Sequence, residues 1–413
     1  MSPMPADHRP VDLSADNALE LLTVDAWAFA FATDPATTAQ WPLPIPWERA
    51  RGIRSGDDTL VAVHASYPYR SFPVPGARTP VAGLTWVGVH PSSRRQGLLR
   101  SMIQEHFSRS LARGEALSAL FAAEPAIYGR FGYGLAAHEV RLRVPRGAAL
   151  RDVDGANDLT VRLEVADLER HGPTVTALHG AVDRPGWADR DTRQHAGFFH
   201  DPESERHGGE SLRIAIVERE GTPVGYALFR RHAVWDPAGP RGTVKVSEVC
   251  VDGAAAARAL WGVLLDLDLM STTEVGNLPV DDPLLGLLID QRATEPRWTD
   301  NLWVRVLDVP AALAARRYAA PVDVVLEVRD TMLPGNAGRW HLVGGPDGAE
   351  VTATDAPADL GLDVRELGAV YLGGVPLTGL AAAGLVTEHT PGTLFGASVA
   401  FGWSVAPVSS WVW

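Results

Sequence analysis

The chain has 413 residues, which at roughly 150 residues per domain predicts two or three domains. Hydrophobic residues make up 46% of the chain and charged residues 21%, a globular balance with material for several cores. The 37 lysines and arginines are outnumbered by 50 aspartates and glutamates, and the net charge of −13 argues against non-specific binding to nucleic acid.

The sequence also limits the compartment and the kinds of metal site. Cys250 is the only cysteine, which excludes an intrachain disulfide and a thiolate metal cluster. The first residues lack the basic and apolar regions of a secretory signal, and no uninterrupted apolar run approaches the roughly 18 to 20 residues that span a bilayer. The 13 histidines show no zinc-binding spacing such as HExxH. We therefore expect a cytoplasmic protein with no metal.

The first block, over about 13–144, alternates helices and strands. A helix is followed by strands in "TLVAVHASY" and "VAGLTWVGVH", a second helix in "LLRSMIQEHFSRSL", a short strand in "LSALFAAE" and a closing strand in "HEVRLRV". The second helix places Leu98, Met102, Ile103 and Phe107 on one face, so we expect these four side chains in the core.

A stretch rich in Gly, Asp and Ala, residues 145–158, is predicted to be a linker. The second block, about 160–300, repeats the order of the first. "LEVADLERHGPTVTALHG" is predicted as a helix, "LRIAIVE" and "PVGYALFRRH" as paired strands, and "TVKVSEVCVD" with "GAAAARALWGVLLDLDLM" as a strand, a turn and a helix. The repeated order predicts a duplicated α/β architecture.

The third block, about 301–413, begins with "LWVRV" and continues with the strands "VDVVLEVRD", "GRWHLVGG" and "AEVTATD". Two helical segments follow, "VRELGAVYLGG" and "PLTGLAAAGLV", and this order is typical of an α+β sandwich. The tail "FGASVAFGWSVAPVSSWVW" is apolar to its last residue, so we expect it to be buried. The predicted domains are 1–150, 151–300 and 301–413.

The turn "HPSSRRQG" connects a strand to the second helix and has the chemistry of an anion site. Unpaired N–H groups and the dipole at the helix N-terminus favour an anion. Gly97 permits close backbone approach, and Arg94, Arg95 and Arg100 supply charge suited to phosphate oxygens. A solvated basic turn is the alternative that the pattern leaves open.

The strand before this turn offers a second kind of contact. If it is an edge strand, the backbone of Val87 and Val89 could pair with an amide-rich ligand laid alongside it. A pyrophosphate joined to an extended pantetheine is such a ligand.

Two motifs carry a resemblance to a known family. "RRQGLL" resembles the acetyl-CoA-binding turn of the Gcn5-related N-acetyltransferases (GNAT), although Leu99 stands where that pattern prefers a small residue. "IYGRFGYG", residues 127–134, together with "VHPSSRRQGLLRSM" and the aromatic C-terminus, closely resembles the Eis (enhanced intracellular survival) family of actinobacterial aminoglycoside acetyltransferases. The resemblance covers the whole chain.

The resemblance implies the fold class α/β (α+β): two tandem GNAT-like domains, then a domain similar to sterol carrier proteins. It also implies a homohexamer, antibiotic resistance as a role, and a degenerate second domain. The sequence supports degeneracy independently, because "DGAAAARAL", residues 252–260, has an acidic residue where the first block has its arginine pair. Such a turn has lost its positive partners for a pyrophosphate.

By resemblance, acetyl-CoA is the cosubstrate and is held by the turn, its flanking strand and the segment after the next strand. The implied cofactor-binding residues are Val87, Gly88, Val89, Arg95, Gln96, Gly97, Leu98, Leu99, Arg100, Ala123 and Glu124.

The resemblance also implies the catalytic pair. Tyr128 is the general acid, with a core tyrosine as the alternative reading, and Tyr133 in the same string is the rival that we interpret as structural. The free carboxylate of the last residue, Trp413, is the general base. A terminal carboxylate is a weak base, with a reference pKa of about 3.5, although burial would raise it. Glu124 competes for this role, and Trp411 and Trp413 could instead only anchor the tail.

The predicted acceptor is a cationic amine such as an aminoglycoside or a polyamine-like molecule, which aromatic walls and an acidic residue would suit. The implied acceptor-binding residues are Phe29, Phe31, Asp34, Trp41 and Trp86. Trp413 replaces the usual Phe, and Val412 stands where an acidic residue is expected, so antibiotic preference need not match the family's. Lipid binding by the third domain and acetylation of protein lysines are the alternative functions.

Overall fold

The computed structural model describes residues 4–31 and 43–413 and divides the chain into two compact units. One unit extends to Ala137 and also contains Leu302–Pro407 and Val412–Trp413, whereas the other comprises His138–Asn301 and Val408–Trp411. Within the described ranges, no helix combines the length and the apolar character that crossing a membrane requires.

The helices and strands of the described ranges are numbered in chain order. The strands are β1 (Arg9–Asp12), β2 (Arg51–Arg54), β3 (Leu60–Val74), β4 (Ala77–Val89), β5 (Leu117–Leu120), β6 (Gly134–Leu135), β7 (His138–Pro145), β8 (Thr160–Val165), β9 (Arg213–Arg219), β10 (Thr222–His232), β11 (Trp235–Asp236), β12 (Gly239–Pro240), β13 (Gly242–Val251), β14 (Met270–Pro279), β15 (Arg297–Asp300), β16 (Trp303–Val306), β17 (Val322–Arg329), β18 (Gly338–Gly345), β19 (Gly348–Ala353), β20 (Leu360–Asp363) and β21 (Val386–Glu388). The helices are α1 (Ala18–Phe29), α2 (Leu98–Ala112), α3 (Pro125–Tyr128), α4 (Leu168–Gly180), α5 (Thr192–Phe199), α6 (Gly253–Leu264), α7 (Pro283–Leu287), α8 (Val309–Ala314), α9 (Val364–Val370), α10 (Leu377–Ala382) and α11 (Thr393–Phe401).

The first sheet has the order β1-β2-β3-β4-β5-β16-β6. Strands β1 to β4 are antiparallel neighbours, β4 and β5 run parallel, and α2 connects those two strands. The predicted core face of α2 is confirmed, because Leu98, Met102, Ile103 and Phe107 are each 1% exposed or less. Strand β5 ends at Leu120, so the second half of the predicted strand "LSALFAAE" leaves the sheet.

Strand β16 comes from the start of the third block and completes the first sheet. Trp303 lies opposite Leu120 of β5 and also opposite Leu135 of β6. The neighbouring Arg305 forms a 2.6 Å ion pair with Asp330, and both side chains are almost fully excluded from solvent. A buried ion pair of this kind is costly to break from one side only, so it specifies how the third block joins this sheet.

The second unit repeats the topology of the first sheet, as the sequence predicts. Its sheet has the order β15-β7-β14-β13-β10-β9-β8, with β10 and β13 antiparallel, β13 and β14 parallel, and α6 as the connection. The prediction that "HEVRLRV" closes the first block is wrong, because this strand, β7, pairs with β14 and β15 of the second unit. One helix boundary in this block was predicted wrongly. Residues 163–165 belong to β8, which pairs with β9, and α4 begins only at Leu168. Asp167 caps that helix by accepting a hydrogen bond from the N–H of Arg170, so the capping residue sets the start.

The third sheet has the order β19-β18-β17-β20-β21, and the predicted helices, now α9 and α10, lie in the chain between β20 and β21. The tail contains a further helix, α11, which the unbroken apolar run of the sequence does not reveal. Within the tail, residues 407–411 are buried, whereas Phe395 and Val399 of α11 are 73% and 46% exposed and Val412 is 59% exposed. The prediction of a buried tail is therefore confirmed for residues 407–411 and wrong for the segment as a whole.

Candidate active site

Strands β4 and β5 separate after a short parallel stretch, and this divergence creates the candidate site. Their paired residues run from Val81 and Leu117 to Gly83 and Ala119, whereas β4 continues to Val89. Because no described strand pairs with that side of β4 beyond Gly83, its backbone groups there are available to a ligand.

A bulge in β4 accompanies the divergence. On the β3 side, Val63 lies opposite Gly88 and Ala65 lies opposite Thr85, so β4 carries an extra residue between these pairs. Trp86 lies in the bulge with a φ of +54°, a left-handed conformation that is uncommon for a bulky side chain. A bulge bends its strand and increases the local twist, which contributes to opening the space beside β5.

The turn after β4 has the backbone geometry of an anion site. Arg95 and Gly97 have left-handed φ values of +64° and +82°, and α2 begins directly after them at Leu98. Alternating left-handed residues direct backbone N–H groups into a shared concavity, and the N-terminus of the 15-residue helix adds its dipole. Arg94 and Arg95 are exposed and form no ion pair with any residue that the structure describes.

A cavity of about 710 Å³ lies at this divergence and joins the turn to the "IYGRFGYG" segment. The predicted site residues that line it are Phe29, Val87, Val89, Arg95, Gly97, Leu98, Leu99, Arg100, Ala123, Glu124 and Tyr128. Arg94, named above for its charge, also lines the cavity, and the lining residues that the sequence did not indicate are Ala28, Ser93, Ile127, Arg130 and Phe131. Most of these residues are sequence neighbours of a predicted site residue, and this adjacency is the sequence feature that could have identified them.

Two predicted cofactor residues do not line this cavity. A Cβ on Gly88 would lie 3.4 Å from the Cβ of Ala28, so this side of β4 packs closely against α1. Gln96 lines a separate cavity of about 500 Å³ together with His8 and His90.

The predicted acceptor residues are dispersed. Phe29 lines the cavity, Phe31 is 42% exposed, and Trp86 packs against a hydrophobic cluster that contains Leu21 and Val24. Asp34 and Trp41 lie outside the described residues, so their assignment stays a prediction.

Tyr128 ends the four-residue helix α3 and is followed by a tight turn in which Gly132 has a φ of +84°. Its ring lies edge-on to that of Tyr133, with 5.9 Å between the centroids. Burial, and secondarily the charge of Glu124, raises the pKa of Tyr128 to about 12. The phenol therefore keeps its proton at neutral pH, which is the resting state that a general acid needs.

Tyr133, the rival of Tyr128, is fully buried and does not line the cavity. Its hydroxyl group is hydrogen-bonded to the Ser118 hydroxyl at 2.8 Å, which in turn contacts His106 Nε2 at 2.8 Å. Burial raises the pKa of Tyr133 and holds the pKa of His106 well below its usual range, so this chain of groups is neutral. No sequence motif indicated this network.

The last residue of the chain lies where β4 and β5 separate. The Trp413 ring packs against Tyr69 at 4.9 Å and edge-on against Phe121 at 5.0 Å, both measured between centroids. A Cβ on Gly83 would lie 2.4 Å from Tyr69 Cε2 and 3.2 Å from the indole Nε1 of Trp413. The absence of a side chain at Gly83, the last residue of β4 paired with β5, therefore makes room for the Tyr69 ring and, beside it, for Trp413.

Glu124 remains a second carboxylate for the site. It precedes α3, lines the cavity and is exposed to solvent. Among the residues that the structure describes, no group of three or more His, Cys, Asp or Glu side chains is arranged to hold a metal ion.

The chain matches three family models in succession. Residues 12–136 and residues 180–306 each match an acetyltransferase (GNAT) domain, and residues 309–410 match a sterol carrier protein domain.

Relatives match along nearly the full length. An uncharacterised N-acetyltransferase of Streptomyces avermitilis is 41% identical over 369 residues, covering 89% of this chain and 90% of the relative. The N-acetyltransferase Eis of Mycobacterium tuberculosis is 34% identical over 378 residues, covering 87% and 88% of the two chains. The crystal structure of Eis1 from Mycobacterium abscessus superposes with a TM-score of 0.82 at 31% identity, covering 99% of this chain and 100% of that one. With two tandem GNAT domains followed by a sterol carrier protein-like domain, the chain belongs to the Eis family of GNAT-type N-acetyltransferases.

Proposed function

We propose that the enzyme transfers the acetyl group of acetyl-CoA to an amine nitrogen of a cationic acceptor, an aminoglycoside or a polyamine-like molecule. The observation that carries this proposal is the single cavity in which the anion-binding turn, the free edge of β4 and Tyr128 meet. The resemblance that suggests these acceptors also suggests a homohexamer, a cytoplasmic location and a role in antibiotic resistance, and these remain proposals.

The residues present suit acetyl-CoA chemically. The left-handed turn at Arg95 and Gly97, with the cationic side chains of Arg94 and Arg95, would hold the diphosphate. The unpaired backbone of β4 at Val87 and Val89 would bond to the pantetheine amides as an added strand does. When bound there, acetyl-CoA supplies an activated acyl group as a thioester.

The proposed reaction forms one C–N bond and breaks one C–S bond. The acceptor amine, in its neutral form, attacks the thioester carbonyl carbon, and the nitrogen gives up a proton to a base. Tyr128 donates the proton that the departing thiolate requires. Because its pKa of about 12 lies well above the thiol reference of about 8.5, this transfer depends on close positioning in the cavity.

The proposed base is the Trp413 carboxylate, acting directly or through one water molecule. Support comes from the packing of the Trp413 ring over Gly83, which holds the chain end at the divergence of β4 and β5. A carboxylate has a low reference pKa, but a polycationic acceptor has amines whose own pKa values are lowered by their neighbours. Glu124 is the alternative base.

The acceptor class rests on charge and on aromatic surface. Phe29 is 49% exposed where it borders the cavity, Glu124 provides a carboxylate, and the whole chain carries −13. An acidic protein attracts polycations, and an aromatic ring favours contact with ammonium groups. The aromatic tail at Tyr69 and Phe121 counts against the alternative function of lipid binding, which needs an apolar tunnel in the third domain.

Replacing Gly97 with Asp should weaken acetyl-CoA binding at least about tenfold, because a side chain and a negative charge would enter the anion turn. Gly114→Asp is the matched control, since Gly114 follows the C-terminus of the same helix and also has a positive φ, +77°, but is open to solvent. Isothermal titration with acetyl-CoA measures both. Equal acetyl-CoA affinities of the two variants would show that the diphosphate does not bind at this turn.

Tyr128→Phe should lower kcat by about 10²- to 10⁴-fold, the usual contribution of a general acid, while KM for acetyl-CoA changes little. Tyr133→Phe is the comparison, and it should destabilise the fold while leaving kcat within a few-fold, because Tyr133 bonds to Ser118 and does not line the cavity. Steady-state kinetics and thermal unfolding separate the two effects. A Tyr128→Phe enzyme with normal kcat would exclude this residue as the acid.

Deleting Trp413 should abolish turnover while acetyl-CoA still binds, because the terminal carboxylate then belongs to Val412 and ends one residue short of its place, whereas the anion turn is intact. Trp413→Phe keeps an aromatic ring and the terminal carboxylate, so it should retain most of the activity. Retained turnover in the truncated enzyme would transfer the base role to Glu124.

A panel of amines should rank aminoglycosides and spermidine above a lysine-containing peptide in kcat/KM. The released CoA thiol reports the reaction, and the enzyme adds little background because burial of Cys250 raises the pKa of its thiol to about 12. The peptide ranking first would instead favour the protein lysine acetyltransferase function.

A further inference from the structure

The second GNAT domain opens at the same topological point as the first. The parallel pairs of β13 and β14 end at Val246 and Val275, whereas β13 continues to Val251 and β14 to Pro279. On the other side of β13, Leu228 lies opposite Glu248 and Phe229 opposite Val246, so β13 carries an extra residue. Both the divergence and the bulge of β4 are therefore repeated.

In this domain the opening is occupied by the chain's own C-terminal segment, residues 408–411, here called the tail segment. The N–H of Val408 donates to the Pro185 carbonyl at 3.0 Å. The Val408 side chain is fully buried in a cluster that contains Tyr226 and Cys250. The tail segment is thus part of the domain's core.

Asn301 holds the tail segment by two hydrogen bonds to one residue. Its Oδ1 accepts from the Ser409 N–H at 2.8 Å, and its Nδ2 donates to the Ser409 carbonyl at 3.2 Å. The same Nδ2 donates to Glu139 at 2.9 Å, and Asn301, Glu139 and Ser409 are each 1% exposed or less. The side-chain amide therefore pairs with the peptide of Ser409 as a neighbouring strand would.

His179 and Asn277 fix the next residue. His179 Nε2 lies 2.8 Å from the Ser410 hydroxyl, and Asn277 of β14 donates to the Ser410 carbonyl at 3.4 Å. Burial lowers the pKa of His179 to about 2, so the imidazole is neutral and makes this contact without a buried charge.

Trp411 packs against the Phe198 ring, which is connected to β13 through Arg190 and Glu248. Its indole N–H donates to the Ala188 carbonyl at 3.4 Å, and its ring lies edge-on to Phe198 with 6.0 Å between centroids. The Arg190 guanidinium stacks on Phe198 at 4.0 Å and pairs with Glu248 of β13 at 2.8 Å. A buried ion pair thus occupies the space beside β13 and supports the ring that Trp411 contacts.

We infer that the second GNAT domain serves as a receptor for the tail segment, and that Asn301 and His179 are positioning residues for the terminal carboxylate two residues beyond Trp411. This inference rests on the proposed role of that carboxylate as the base. It also accounts for the start of α6, where Asp252 stands in place of the arginine pair of the first domain, because the opening receives peptide and has no phosphate to bind. Chain ends are otherwise frayed, and a base on a frayed end would reach its position only part of the time.

The first test is kinetic. Asn301→Ala and Ser410→Ala should lower kcat at least about tenfold, because misplacing a reacting group by about 1 Å can cost that much, while KM for acetyl-CoA stays within about twofold. Ser410→Thr keeps the hydroxyl group and should restore kcat. His171→Gln is the matched control, because His171 is also buried on α4 but bonds to Asp167 and Glu164, away from the tail segment. Formate should partly restore turnover in Asn301→Ala and in the enzyme without Trp413.

The second test measures the chain end without measuring activity. A carboxypeptidase should release the terminal tryptophan at least about tenfold faster from Asn301→Ala and Ser410→Ala than from the wild type or His171→Gln, as followed by mass spectrometry. Equal rates of tryptophan release would overturn the receptor role. A normal kcat in the Asn301 and Ser410 variants would do the same if deletion of Trp413 still abolishes turnover. Neither result would affect the proposed function. Full turnover after deletion of Trp413 would instead refute the base on which the inference rests.

Discussion

The separation of two parallel strands after a short paired stretch is the constraint on which the rest of the site depends. Between Gly83 and Val89, β4 has backbone groups that β5 does not satisfy, and a folded protein rarely leaves such groups buried without partners. The strand must therefore face solvent, a ligand or another part of the chain. The left-handed turn at Arg95 and Gly97 follows the end of the same strand, so one elongated ligand can contact both the free edge of β4 and the anion turn.

The second domain has the same divergence of parallel strands, but there the chain itself fills the space that is open in the first domain. Strands β13 and β14 also separate, but here the space is filled by Arg190, Glu248 and the tail segment, residues 408–411. The polar groups of the tail segment are bonded within the chain, to Pro185, Asn301, His179 and Asn277. Two copies of one topology can thus serve different purposes, because the divergence of the strands leaves open whether a ligand or another segment of the chain fills the space.

Tyr128 and Tyr133 of the first domain differ in their electrostatic surroundings. Tyr128 borders the cavity and feels both burial and the charge of Glu124, whereas Tyr133 is locked to Ser118 and His106 in a neutral network. A phenol with a raised pKa holds its proton reliably but gives it up reluctantly, so its value as an acid depends on distance. The edge-on contact of Tyr133 with Tyr128 provides a rigid surface against which that distance can be maintained.

Local patterns determined much of this protein. The α2 core face, the two strand–turn–helix units and the turn at Arg94 to Gly97 follow from short-range periodicity and from residues with particular backbone preferences, and these can be read from neighbouring positions in the sequence. Tertiary structure alone decided that β16 completes the first sheet, that Trp413 packs against Tyr69, and that Asn301 pairs with Ser409. Those contacts join residues far apart in the chain, and no local pattern specifies them, because strand pairing and side-chain burial depend on which distant segment arrives beside each one.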